Sequence, residues 1–265
     1  MSDSPEARKA QVSAQFSQLA PVYDFAGGFS RFGRRLVDAA GVEPGQRVLD
    51  VASGRGAALF PAAERVGSAG HVEGIDLAEG MVQAVNADAA ARGIGARVRL
   101  MDAEHLDFPD GSFDRVLCGF GIMFPPDQLL VLREMRRVLR PGGRVAVSTW
   151  REPESQDLAV VQAQIGKPQP RPPGWITEPD VLAALLTQAG FSEVRVVADT
   201  QPIRYADMDA YWRSAMTTGA RRGIALLDAE ETIRVRALLT ERLERYRQAD
   251  GYHVPATALI ATASR

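Results

Sequence analysis

A chain of 265 residues, 46% of them hydrophobic and 24% charged, can bury one large core, so one domain with a cap is expected. A net charge of -2 gives no overall pull toward nucleic acid or an anionic membrane, and no apolar run approaches the roughly 18 residues of a spanning helix. With no charged-then-apolar leader and a single cysteine, Cys118, that cannot form an internal disulfide, the chain reads as soluble and cytoplasmic, with homo-oligomerisation left open.

Residues 1 to about 10 are polar and read as a frayed end. From Ala10 to Leu19, Val12, Phe16 and Leu19 fall at helical spacing, and Pro21 stops the helix. Gly27-Gly28 offers a hinge before a helix over Arg34 to Ala40. Arg47 to Gly56 is the stretch around which the chain is organised. Apolar residues around Asp50 read as a buried parallel strand, and Gly54-Arg55-Gly56 with the following alanines reads as a tight turn into a helix N-terminus. Glycine there lets a ligand approach the backbone, and the helix presents unpaired N–H groups. The dinucleotide fingerprint would need a small residue at 59, where Leu59 stands, which counts against a pyrophosphate ligand.

That helix ends at Gly67, and a strand from His71 to Asp76 puts a carboxylate about 20 residues past the glycines, where an acid commonly takes a ribose diol. A helix from Leu77 to Arg92 and a strand from Ala96 to Asp102 follow, then a turn over Leu106 to Ser112 and a strand from Phe113 to Gly119. The next loop, with two glycines and Pro125-Pro126, lies beyond a strand's carboxyl end and should border the ligands. An amphipathic helix over Gln128 to Leu139 leads to a fifth strand ending at Trp150. Lys167 to Gly174 is proline-rich and reads as a surface loop. A helix over Asp180 to Ala189 and a strand over Glu193 to Ala198 come next. Helices over Asp207 to Thr217 and Glu230 to Gln248 then precede a last strand from Val254 to Thr262.

The motifs Asp50-Val51-Ala52-Ser53-Gly54-Arg55-Gly56, Gly74-Ile75-Asp76, Met101-Asp102-Ala103-Glu104, Ser112-Phe113-Asp114 and Leu139-Arg140-Pro141-Gly142-Gly143 together resemble class I S-adenosylmethionine-dependent methyltransferases. Within these the chain is most similar to the ubiquinone and menaquinone biosynthesis branch (methyltransferase type 11), over roughly residues 12 to 200. The resemblance implies an α/β fold: a Rossmann-like, seven-stranded, mostly parallel sheet with an N-terminal helical lid over 1–35. It further implies a core over 36–204 and 251–265, and a helical cap over 205–250 inserted before the last strand.

The implied cofactor is S-adenosylmethionine, leaving as S-adenosylhomocysteine, and the implied partner is a small-molecule methyl acceptor from natural-product or quinone-like metabolism. By the same resemblance Asp76 takes the ribose hydroxyls, Leu77 and Met81 flank the adenine, and Asp102, Ala103 and Glu104 form the adenine edge. The turn with Ala52, Ser53, Gly54 and Gly56 meets the methionine portion, Asp50 orders that turn or the methionine ammonium, Cys118, Gly119 and Phe120 border the cofactor, and Tyr23 closes over it from the lid. Ala52 replaces the family's usual first glycine.

An oxygen or nitrogen acceptor gains from a base titrating near neutrality. Histidine supplies it most often, so His253, His105 and the Tyr23 hydroxyl are the catalytic candidates, whereas His71, opening a strand, reads as structural. The histidines are too scattered for a ligand set, so no metal is expected. Two rival readings are a non-methylating descendant, such as a cyclase, and a nucleotide-binding oxidoreductase, the latter disfavoured by Leu59 and by Asp102.

Overall fold

Ser4 accepts the Ala7 N–H at 3.2 Å and Pro5 fills the first helical position, so α1 (Pro5–Leu19) starts earlier than its apolar spacing suggests. These features belong to a computed structural model, which describes residues 4–23, 27–151, 157–168, 174–217 and 221–265. Asp24 and most of the expected 167–174 loop lie outside the described residues. Helix α2 (Gly28–Ala40) takes in Gly28, half of the glycine pair read as a hinge, and runs unbroken through 35, where a boundary between lid and core was expected. It buries Phe32, Leu36, Val37 and Ala40 at helical spacing, which commits it to the core.

Strands β1 (Arg47–Val51), β2 (His71–Asp76), β3 (Arg97–Leu100), β4 (Phe113–Gly119) and β5 (Leu139–Trp150) pair in parallel. Helices α3 (Leu59–Val66), α4 (Glu79–Ala91) and α5 (Gln128–Val138) make the crossovers, and α6 (Asp157–Gln164) and α7 (Pro179–Gln188) follow β5. After β6 (Ser192–Tyr205) come α8 (Met208–Met216), α9 (Arg221–Ile224), α10 (Ala229–Leu243) and a 3-10 turn (Glu244–Tyr246). The two-residue β7 (Arg247–Gln248) and β8 (Gly251–Ser264) complete the chain. The sheet order is β3-β2-β1-β4-β5-β8-β6, with β7 paired to β8 and with β8 antiparallel to both neighbours.

The central strands are apolar on both faces because helices cover both. Leu49, Val116 and Val147 face a cluster containing Met135 and Leu132, while their neighbours Val48, Leu117 and Ala146 face one containing Leu36, Leu59 and Val85.

The hairpin β6–β8 is longer than its pattern suggests. The expected strand ends at Ala198, yet pairing runs on past Pro202, which lies opposite Pro255 in the register. Two facing prolines fit an antiparallel pair at a position where neither N–H is required. Pairing with β5 ends at Trp150–Ala258, whereas β6 and β8 stay paired to Tyr205–Tyr252. The hairpin therefore overhangs the carboxyl edge of the sheet by about 20 Å at ~3.3 Å per residue. The insertion between its strands forms a core of its own around Tyr205, Val235, Leu239, Leu243 and Tyr252. Its last helix, expected to reach Gln248, stops at Leu243, and residues 247–248 turn back as β7.

Candidate functional site

The turn after β1 is wound through left-handed backbone: φ is +57° at Ala52, +53° at Gly54 and +80° at Gly56. Only glycine takes that conformation without Cβ strain, so the alanine at 52 is held there by its surroundings. Its methyl fills the space a Cβ on Gly121 would need, which couples this turn to the loop after β4, where Phe120 is itself at φ +58°. α2 presses on the same turn, for a Cβ on Gly33 would strike the Ala57 carbonyl.

Two adjoining cavities share the wall of Tyr23, Ala52, Gly54, Gly119 and Phe120. The first brings together Asp76, Leu77, Met81, Asp102 and Ala103. The second adds Asp50, Ser53, Arg55, Asp88 and Arg92. Gly56, Glu104 and Cys118 line neither: Gly56 shapes the turn, and Glu104 and Cys118 are buried behind the walls.

Asp76 accepts the Gly54 N–H at 2.8 Å through Oδ2 and the Ala78 N–H at 2.9 Å through Oδ1. Burial raises its pKa above the usual carboxylate value, and these N–H groups oppose the rise. Asp50 is fully enclosed, which pushes its pKa to about 7, and its Oδ2 has no hydrogen-bond partner. Burial also raises the Cys118 thiol, to about 12, so it stays protonated and unreactive. Asp102 holds the Lys9 ammonium at 2.7 Å through Oδ2 and accepts the Glu104 N–H at 2.9 Å through Oδ1. Glu104 also pairs with Lys9 and accepts the Asp127 N–H at 2.9 Å, steadying the start of α5.

α1 closes the first cavity through a polar stripe. Lys9, Ser13 and Ser17 recur every four residues; the Ser13 hydroxyl donates to the Leu77 carbonyl at 2.9 Å, and the Gly80 N–H donates to Ser17 Oγ at 3.2 Å. Arg55 fastens the far end, donating to the Ala20 carbonyl and pairing with Asp88 at 2.6 Å. Aromatic rings complete the enclosure: Tyr23 stacks on Phe29 at 5.2 Å, Phe120 on Trp150 at 4.1 Å, and Phe16 meets Phe124 edge-on at 5.0 Å.

Of the three catalytic candidates only Tyr23 borders the cavities. His105 is exposed just past Asp102. His253 lies inside β8 opposite Arg204 on the overhanging hairpin, with Nε2 at 2.8 Å from Asp250 Oδ1. Sequence reasoning passed over Lys9, Arg55, Phe29 and Trp150. The available signals were that Lys9 is one of two lysines in an arginine-rich chain and that Arg55 stands between the turn glycines. Among the described residues no group of acidic, histidine or cysteine side chains could hold a metal ion.

A methyltransferase-domain family model matches residues 48–143, from β1 into β5. Nocamycin O-methyltransferase of Saccharothrix syringae is 36% identical over 93% of this chain and 95% of its own length. The chain belongs to the methyltransferases. Aklanonic acid methyltransferase of Streptomyces sp. strain C5 is 44% identical to this methyltransferase over 53% of this chain, a match spanning 66% of that relative's own length. A ubiquinone/menaquinone biosynthesis C-methyltransferase of Cellvibrio japonicus is 36% identical over 58% of the chain, again spanning 66% of its own length. The fold is also that of a SAM-dependent methyltransferase from Aquifex aeolicus, with TM-score 0.53 and 24% identity over 74% of this methyltransferase and 93% of that chain.

Proposed function

We propose that this methyltransferase moves the methyl group of S-adenosylmethionine to an oxygen of a small natural product that is already anionic at neutral pH, a carboxylate or an acidic hydroxyl. The carrying observation is the composition of the cleft: no histidine lines either cavity among the described residues, so the site suits an acceptor that needs no base. The relatives, an O-methyltransferase and a methyltransferase of an acid by name, support the same chemistry.

The residues fit the cofactor. Asp50 Oδ2, buried without a partner, suits an ammonium group, and Asp76 retains lone pairs beside its two N–H donors for ribose hydroxyls. Asp102 would take the adenine amino group, with Leu77, Met81 and Ala103 against the ring. When bound, the cofactor supplies an electrophilic methyl on sulfonium sulfur. The chain's own contribution is to orient the acceptor and keep water out, by the Tyr23–Phe29 and Phe120–Trp150 stacks and by α1 acting as a lid.

The test is mass spectrometry of candidate acids incubated with enzyme and S-adenosylmethionine. A gain of one methyl as an ester or ether is expected. Transformation without mass gain would replace this reading by a non-methylating descendant. His105→Ala and His253→Ala should keep turnover within about twofold, because loss of a true general base costs ~100-fold or more.

A further inference from the structure

The sheet ends in two edge strands, β3 and β6, and they are finished differently. On β3 the Asn86 amide closes the edge. It donates to the Val98 carbonyl at 2.9 Å and accepts the Val98 N–H at 2.9 Å, which occupies the groups a further strand would use. β6 has a strand on one side only, β8. Because Pro202 faces Pro255 where no N–H bond joins the strands, the backbone groups of Pro202 and of every second residue before it turn outward. These residues are Thr200, Ala198 and Val196, and no described residue bonds their outward N–H or C=O.

Two features bound this open stretch. The ladder is bulged between Ser192 and Arg195, with Glu193 at φ +52°, and Pro202 has no N–H to offer. Val197 stands midway between Ser192 and Pro202, and its apolar side chain is 57% exposed. Arg195 and Asp199 flank it on the same face with opposite charges. Arg195 is exposed and forms no ion pair with any described residue. The Asp199 carboxylate is held loosely by Arg35 of α2, at 3.3 Å to each oxygen, and accepts Gln201 Nε2 at 3.0 Å on Oδ1, so a lone pair stays open on Oδ2.

We propose that β6 is a dimerisation edge, on which a second copy of this chain lays its own β6 antiparallel about a two-fold axis at Val197. In that register Val196 and Ala198 exchange backbone hydrogen bonds with the partner's Ala198 and the partner's Val196. Val197 packs on the partner's Val197, and Arg195 meets the partner's Asp199 while Asp199 meets the partner's Arg195. Ser192 falls opposite the partner's Pro202, so the bulge and the proline end the pairing together. A second copy suits this edge better than an unrelated strand because the charges are antisymmetric about Val197, which makes the stretch complementary to itself when reversed.

The test is sedimentation velocity of the full chain over a concentration series. The wild-type protein should approach twice the 28.7 kDa of one chain. Val197→Lys sets two ammonium groups against each other at the axis, and Arg195→Asp sets a carboxylate against the partner's Asp199. Each should raise the dimer dissociation constant by at least ~10-fold. Both side chains are exposed, so both variants should keep the wild-type circular-dichroism spectrum. Asp199→Arg should also be monomeric, yet mixed with Arg195→Asp it should form a heterodimer, because both ion pairs are restored. A wild-type protein that stays monomeric throughout the series would overturn the proposal, as would a dimer that Val197→Lys and Arg195→Asp leave intact. A mixture that stays monomeric although both components are folded would overturn the register; if Asp199→Arg does not fold, the other two variants still decide.

Discussion

The first two helices sit side by side in sequence and are attached by opposite means. α2 lays Phe32, Leu36, Val37 and Ala40 into the sheet's core, and its glycines let it approach closely, Gly33 against the Ala57 carbonyl and Gly28 against Ile203. α1 fully buries only Leu19 and is held by Lys9, Ser13 and Ser17. Apolar burial is lost only when the core opens, whereas a few hydrogen bonds and an ion pair exchange readily for water. The lid proposed above is therefore α1, and α2 is a wall.

The wall is broken by removing its anchor. Phe32→Ala deletes a fully buried ring that meets Phe120 and Trp150 edge-on, and should cost about 3–5 kcal/mol in a denaturant titration. An equal loss from a substitution in α1's polar stripe would erase the distinction between the helices.

The two attachments also differ in their response to pH. Asp50, beneath the wall, has its pKa raised to about 7 by burial, above its unfolded value near 4. The native protein therefore holds its proton more tightly than the unfolded chain does. The stability this contributes is complete below about pH 4 and is lost as pH rises through about 7. Asp50→Asn should flatten the decline between those values, as read from unfolding midpoints against pH. Burial works against the charge of Lys9, but its hydrogen bonds to Asp102 and Glu104 prevail and raise its pKa, so Lys9 stays charged throughout that window.

The lid is sharpened by removing its charge. Lys9→Met should change global stability by less than ~1 kcal/mol and weaken S-adenosylhomocysteine severalfold in calorimetry, with the effect shrinking at high salt. A large fall in stability would make α1 part of the core.

How much of this was legible in the sequence follows from the range of each interaction. The five parallel strands and the turn at Ala52 to Gly56 are local patterns, and they stand where apolar runs and glycines place them. The acids at 76 and 102 stand at the cavity wall for the same reason, although β3 stops at Leu100 before reaching Asp102. The ion pair of Lys9 with Asp102 spans 93 positions, and nothing near either residue announces it. The overhanging hairpin was hidden because Asp199 and Pro202, residue types depleted in strands, interrupt the stretch that only its pairing with β8 holds extended. His253 read as a candidate base because β8 was expected to begin one residue after it. In the longer strand it faces Arg204 and pairs with Asp250, away from the cavities.

The most direct test of the contrast between lid and wall is hydrogen exchange of α1, residues 5–19, and α2, residues 28–40, with and without S-adenosylhomocysteine. The account predicts rapid exchange in α1 alone, slowed strongly by the ligand, and slow exchange in α2 under both conditions. Exchange in α1 as slow as in α2 without ligand would contradict it.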